Sequence, residues 1–295
     1  MNEEANNPFF IARRNKVPLI LDGAMGSLLQ NQGWATDNKL WMSYMNLSNP
    51  DVVLKAHKQY VESGADIITT NTFRTNPAAV KGTDLDGEHL VRMAVQIARE
   101  AIEDNPVFLA GSNPPAEDCY KIQRDLSLNE LIYNHQKHID YLYSAGCDFI
   151  LNETMSHSDE LKIICQHCNR NNIPFVVSLF FNDDLRLLSG EKVVDVVDFI
   201  LHYRPLAVGF NCIKPGRFEM LAQKLNFDFD WGLYLNCGKS EYDNNDINES
   251  ITPDDYITNT KKYLDRNPSF IGSCCGSSPS HTLKLKELFN ERYKS

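Results

Sequence analysis

No run of apolar residues in this chain approaches the roughly 18 needed to cross a bilayer as a helix. Positive charge is also scarce. Lys and Arg number 29 against 39 Asp and Glu, a net charge of -10 at pH 7. A phosphate backbone or an anionic membrane surface would repel such a chain, so neither nucleic acid nor membrane is an expected partner. Short internal repeats and low-complexity tracts are missing, which excludes solenoids and simple linkers. The opening residues Met1, Asn2, Glu3 and Glu4 are acidic and lead into no apolar segment, unlike a secretory signal. A cytoplasmic location is therefore expected. There, the eight cysteines are not expected to form a disulfide framework; clustered cysteines in that compartment bind metal or do chemistry.

What is present is an ordinary globular composition, 42% hydrophobic and 23% charged over 295 residues, enough to bury a full core. Eight short apolar runs fall at 18–22, 66–70, 107–110, 148–153, 174–179, 206–210, 231–235 and 269–272. They are near-continuously hydrophobic, as strands buried on both faces are. Helical patterns lie between most of them. Asn49 and Pro50 suit an N-cap and first-turn proline, Val53, Ala56, Tyr60 and Val61 form a 3.6-period stripe, and Gly64 suits the stop. Ser127 and Glu130 have capping-box spacing ahead of a helix that Gly146 ends, and Leu90, Met93, Ala94, Ile97 and Ala101 make another stripe. Eight-fold strand–helix alternation predicts an α/β fold, a single (β/α)8 TIM-type barrel over 1–295, with an open doubly wound sheet as the rival. Residues 1–15 are expected as an N-terminal extension, and the polar stretch 239–255 as a long, mobile loop.

In a barrel of this type, active sites lie at the C-terminal mouths of the strands. The runs here end in Asp22, Asn71, Glu153, Asn211 with Cys212, Asn236 with Cys237, and Cys274 with Cys275. Runs six and eight are both even-numbered, and alternate strands feed one side-chain layer, so Cys212 can face Cys274 and Cys275. Adjacent strand residues point to opposite faces. Both members of the pair can therefore reach one ion only if the strand has ended, and Gly272 and Gly276 are expected to give that backbone freedom. Three thiols around one metal leave a fourth position for a substrate, as catalytic zinc sites do. Cys165 and Cys168 also have ligand spacing but fall inside a helical stripe with Leu161 and Ile164, which reads as core. Cys119 and Cys147 carry no signal, and Cys237 either borders the site or stands apart from it.

At this point the chain resembles the zinc-dependent homocysteine S-methyltransferases. The likeness rests on Leu21-Asp22-Gly23-Ala24-Met25-Gly26, on Gly64-Ala65-Asp66-Ile67-Ile68-Thr69-Thr70-Asn71-Thr72-Phe73, on Glu153-Thr154, on Gly209-Phe210-Asn211-Cys212 and on Gly272-Ser273-Cys274-Cys275-Gly276. The order and spacing of these five motifs are more specific than any one of them. The resemblance implies the same barrel, a Zn2+ held by Cys212, Cys274 and Cys275, and homocysteine held through its amino group by Asp22 and Glu153. Three departures stand out: Ser273 where a second glycine is usual, Cys237 where a serine is usual, and Asn113-Pro114-Pro115 in place of a glycine-containing turn. The last bears on the shape of the substrate pocket.

The implied reaction is transfer of a methyl group to homocysteine, giving methionine. S-methylmethionine or S-adenosylmethionine is the favoured donor and betaine the second. A free thiol is only a few per cent thiolate at neutral pH, and metal binding deprotonates it. The small-molecule donor is a cation, and Trp41, Tyr44 and Phe73 follow the first two strands, where they either form an aromatic wall for it or pack the core. Asn71, Asn211 and Asn236 could bind the acceptor carboxylate or brace loops, and Thr72 completes the candidate substrate contacts. His135, His138 and His157 are expected on helices or loops without catalytic roles. Two other readings remain: a non-catalytic zinc- or thiol-binding barrel, and a methyltransferase for another thiol or a selenol. Neither a monomer nor a homo-oligomer is excluded. Cys274→Ala is expected to abolish both zinc retention and methyl transfer, and Cys168→Ala to preserve both; equal metal loss in the two variants, measured by metal analysis, would overturn this ranking of the cysteines.

Overall fold

The computed structural model of the chain describes residues 6–238 and 251–293. Residues 1–5 of the expected extension and 239–250 of the expected mobile stretch lie outside them. Eight strands form one parallel sheet: β1 (Leu19–Ile20), β2 (Ile67–Thr69), β3 (Phe108–Asn113), β4 (Phe149–Met155), β5 (Phe175–Leu179), β6 (Ala207–Asn211), β7 (Trp231–Leu235) and β8 (Phe270–Ser273). Their order is β1-β8-β7-β6-β5-β4-β3-β2. The ends of that order meet. Leu21 bridges Ile67, the Asp22 N–H donates to the Ile67 carbonyl at 2.9 Å, and the Asp66 N–H to the Ile20 carbonyl at 2.8 Å. These bonds close the sheet, so the fold is the (β/α)8 barrel and not the open doubly wound sheet.

Each expected run contains a strand. The largest difference is β3, which runs three residues past 107–110. Gly111, Ser112 and Asn113 pair with Ile150, Leu151 and Asn152 of β4, and small polar residues give no apolar signal. The helix punctuation holds in most places. Ser127 and Glu130 form a reciprocal capping box on the helix Leu128–Ser144, and Gly64 and Gly146 take positive φ just past helix ends. Pro50 opens the helix Pro50–Glu62, but the Asn49 side chain makes no capping bond. Its φ of -146° and ψ of 58° lie off the extended backbone from which a cap side chain reaches back. In the two stripes, Val61 and Met93 are only half-buried while the other members are buried.

The floor of the barrel is aromatic. Phe9, on the helix Pro8–Asn15, meets Phe149 and Phe270 edge-on, each at 5.4 Å between ring centroids. The Phe270 ring lies over Gly232, where any Cβ would clash with it. These rings fill the N-terminal end and leave the opposite mouth for polar side chains. Among the described residues no helix is long and apolar enough to cross a membrane. Phe270→Ala should lower stability by about 3–5 kcal/mol through lost burial and the cavity left behind. Chemical denaturation checks this, and a loss below about 1 kcal/mol would show that the floor can collapse around the gap.

Candidate active site

Strand β8 ends at Ser273, and Cys274 and Cys275 lie in the turn beyond it. The alternation that would separate them has therefore stopped. Gly276 turns the chain at φ 81°, and a Cβ there would stand 2.7 Å from the Gly238 nitrogen. Gly272 serves differently from the expectation. Its φ is not positive; it is needed for space, since a Cβ would lie 2.8 Å from Leu21 Cβ and 2.9 Å from the Leu21 carbonyl oxygen of neighbouring β1. Cys212 follows β6 in the left-handed region at φ 55°. The three sulfurs lie within 4.8 Å of one another. Cys275 Sγ is 3.4 Å from Cys212 Sγ and 4.0 Å from Cys274 Sγ. Sulfurs around one tetrahedral zinc, at about 2.3 Å from the ion, stand about 3.8 Å apart, so these separations suit a shared metal. Cys212 and Cys274 Sγ are within bonding distance as a disulfide, a pairing that only metal-free sulfurs can make. Cys237 is buried just past β7 and is not one of the three.

Asp22 and Glu153 stand in the same cavity of about 620 Å³, which the three cysteines also line. The Asp22 carboxylate accepts from the Thr69 N–H at 2.8 Å and from the Thr69 hydroxyl at 3.2 Å. Burial pushes Asp22 well above the usual carboxylate range; the Thr69 bonds oppose this and the charge of Glu153 adds to it. Glu153 accepts from the Ser112 hydroxyl. Burial pushes Glu153 up to about 7, against the lowering effect of that bond. Two buried carboxylates that burial keeps from ionising make a place for a cation, which would relieve both. Glu153 is aimed by its neighbour: Thr154 has φ 59°, at an irregularity in the β4–β5 pairing between Asn152 and Met155. Asn211 holds that residue with two bonds, accepting from the Thr154 N–H at 3.0 Å and donating to its hydroxyl at 2.8 Å.

The other expected contacts divide. Trp41, Asn71, Phe73 and Asn236 line the cavity, and Thr72, Asn211 and Tyr44 do not. Trp41 and Phe73 are edge-on at 6.3 Å between centroids. Asn71 lines it but spends its amide on the Met42 carbonyl at 3.0 Å and on Asn46 at 3.1 Å. Thr72 braces β3, donating to the Ser112 carbonyl at 2.7 Å. Asn236 accepts from the Gly238 N–H at 2.7 Å. Cys165 and Cys168 belong to the buried core. Sequence reasoning missed Thr69 and Ser112, the residues that hold the two carboxylates. Alternation within 66–70 placed Thr69 on the same face as Ile67, a usable signal; Ser112 lay past its run and carried none. It also missed Arg74, Cys119 and Tyr120, loop residues on the cavity wall.

The departure at 113–115 has a structural account. Asn113 Nδ2 donates to Asn152 at 2.7 Å and lies 3.3 Å from His135 Nδ1, while its Oδ1 lies 2.8 Å from His138 Nδ1. His138 Nε2 reaches Thr75 Oγ1 at 2.9 Å, and His135 Nε2 reaches Glu160 at 2.9 Å. Glu160 also accepts from the Ala116 N–H at 2.8 Å and pairs with Arg124 at 2.6 Å. The pattern assigns the Nε2–H tautomer to His135 and Nδ1–H to His138. Burial lowers His138 to about 3, so it stays neutral. Both histidines lie on the helix Leu128–Ser144 and tie the loop after β3 to the loop after β2, behind the cavity wall; His157 stands at the start of the helix Ser158–Asn171.

The curated relatives YbgG and the Brassica enzyme are named methyltransferases, and this chain is a methyltransferase as well. It belongs to the homocysteine S-methyltransferase family, whose model matches residues 19–289. Homocysteine S-methyltransferase YbgG of Bacillus subtilis is 24% identical, over 90% of this chain and 93% of its own length. Selenocysteine Se-methyltransferase of Brassica oleracea var. italica is also 24% identical, over 88% and 86%. The metallated form of the homocysteine methyltransferase MmuM from Escherichia coli has the same fold, with a TM-score of 0.77 at 23% identity, over 92% of this chain and 96% of that one.

The Glu153 value carries a pH dependence. The folded chain holds this proton to about 7, whereas the ordinary carboxyl loses it near 4.5. Between those values the folded state binds more protons, so stability falls as pH rises through the window. Glu153→Gln should remove that fall, an effect of about 3 kcal/mol at most. Denaturant unfolding of reduced, metal-free protein at about pH 5 and about pH 8 checks it; an unchanged pH slope would refute the shift.

Proposed function

We propose that this chain transfers a methyl group to the thiol of homocysteine, giving methionine, as a single-domain cytoplasmic enzyme. The observation that carries the reading is one cavity holding three converging sulfurs and two buried carboxylates. An amino acid with a thiol presents the two complementary groups. The sulfurs of Cys212, Cys274 and Cys275 fit a Zn2+ ion, which when bound would supply a lowered pKa to the incoming thiol. The metallated state named for the Escherichia coli protein supports this assignment.

The chain's own residues bind and orient. Asp22 and Glu153 take the α-ammonium group by charge-assisted hydrogen bonds, and Thr69 and Ser112 hold those carboxylates in place. The ammonium fixes the short carbon chain so that the thiol turns toward the sulfur cluster. Trp41 and Phe73 offer ring faces to the cationic donor, worth about 0.5–2 kcal/mol. Held in line, the homocysteine sulfur attacks as thiolate. A new S–CH3 bond forms as the donor's bond to that methyl breaks, and its electron pair returns to the donor heteroatom, which leaves neutral. Positioning makes this effectively unimolecular. Sulfonium donors, S-methylmethionine or S-adenosylmethionine, are favoured over betaine because a thioether leaves more readily than a tertiary amine.

A second reading has an observation behind it. The Brassica relative is named for methylation at selenium, so a selenol or another thiol is the alternative acceptor. Zinc-loaded protein should form methionine from homocysteine with a sulfonium donor. Glu153→Gln should raise the homocysteine KM about tenfold or more while zinc content stays unchanged, as loss of a charge-assisted bond predicts. Turnover with no donor in a panel of all three, or a clear preference for a selenol in direct competition, would overturn the proposed reaction.

A further inference from the structure

We infer that Arg74 determines donor specificity, its guanidinium taking the carboxylate of an amino-acid methyl donor. The inference rests on the methyl-transfer reading and extends it to a residue with no part in the sulfur or ammonium sites.

Arg74 follows Phe73 in the loop after β2 and lines the cavity, half-buried. Its Nη1 donates to the Glu117 carbonyl at 3.1 Å, and its guanidinium carbon lies 5.7 Å from the centre of the Phe73 ring. Its backbone N–H is fixed by the Ser43 hydroxyl at 3.1 Å. An arginine presents five N–H donors in a planar fork that matches a carboxylate. Among the described residues that one hydrogen bond to Glu117 leaves most of the fork for a ligand.

The charges around it make that fork distinctive. Among the described residues the carboxylates lining the cavity are Asp22, Asp37, Asp118 and Glu153, and the cationic side chains are Lys39 and Arg74. Lys39 Nζ donates to the carbonyls of Lys81 at 3.1 Å and Gly82 at 3.0 Å. Asp37 accepts from the N–H groups of Lys39 and Leu40, and Asp118 from that of Tyr120 at 3.0 Å. A cavity dominated by acids draws in a sulfonium ion but repels the carboxylate the same molecule carries. Among the described residues Arg74 is the lining cation with the most donors to spare and the only planar fork, so the carboxylate goes there.

Both substrates carry a carboxylate, and geometry separates them. In homocysteine the carboxylate shares a carbon with the ammonium group, which Asp22 and Glu153 hold. Arg74 meets the Glu117 carbonyl, the Ser43 hydroxyl and the Phe73 ring, and neither Asp22 nor Glu153 is among these contacts. Phe73, by contrast, is its neighbour and forms the aromatic wall with Trp41. A donor whose cation rests on that wall brings its own carboxylate to Arg74.

Calorimetry on zinc-loaded protein tests this with three ligands: S-methylmethionine, the same sulfonium with its carboxylate replaced by hydrogen, and homocysteine. Wild-type protein should bind S-methylmethionine about tenfold or more tighter than the carboxylate-free ion, the value of a charge-assisted bond at a half-exposed site. Arg74→Gln should abolish that difference and leave homocysteine affinity and zinc content unchanged, and Arg74→Lys should restore part of it. In turnover the loss should fall on the donor KM with kcat little altered. Equal binding of the two sulfonium ions by wild-type protein, binding of neither, or equal weakening of both in Arg74→Gln would overturn the inference. A loss confined to homocysteine would assign Arg74 to the acceptor and overturn it too. Carboxylate discrimination at Arg74 in a protein that fails to bind homocysteine would uphold the inference while removing the acceptor proposed above.

Discussion

The Cys212 N–H donates to the Tyr234 carbonyl at 3.1 Å, and the Cys274 N–H to the Leu235 carbonyl at 2.9 Å. Consecutive residues of β7 thus hold the ends of both cysteine-bearing strands. The remaining geometry depends on this pair of bonds. Parallel pairing on either side of β7 sets the height at which β6 and β8 stop, and stopping at one height lets side chains 62 residues apart in sequence meet. The closing bonds between β1 and β2 then bring Asp22 and Glu153 to the same rim.

Electrostatics at that rim oppose folding and favour ligands. Asp22 and Glu153 are taken from water in one cavity, and both hold their protons beyond the ordinary range. Such a pair is stable only where the surrounding structure over-determines it. The left-handed Thr154 clamped by Asn211, the Thr69 and Ser112 hydroxyls, and the buried chain from Glu160 to Thr75 supply that rigidity. A cationic group between the carboxylates would offset that cost, which is the physical basis of the ammonium site proposed above.

Much of this was legible before any coordinates. The eight apolar runs located every strand, because strands covered on both faces need uninterrupted apolar residues. The motif spacing also marked Cys212, Cys274 and Cys275, which the fold then brought together. What escaped had no local signal. The extension of β3 is written in small and polar residues, the role of Gly272 depends on the closeness of β1, and Asn49, which makes no capping bond, also ends the short helix Met45–Ser48. Thr72 and Asn211 belong to the motifs themselves, yet their side chains brace β3 and β4 and do not line the cavity.

The sequence by itself determined the periodicity, and with it the alternation of strand and helix, the class of fold, and the residue types available at each strand end; these follow from local burial and local caps. Only the tertiary structure decided which ends share a cavity, which carboxylate leans on which hydroxyl, and that Arg74 stands on the wall with one donor on the Glu117 carbonyl. Those relations come from pairing register and loop packing between segments far apart along the chain, and no short stretch of residues encodes them.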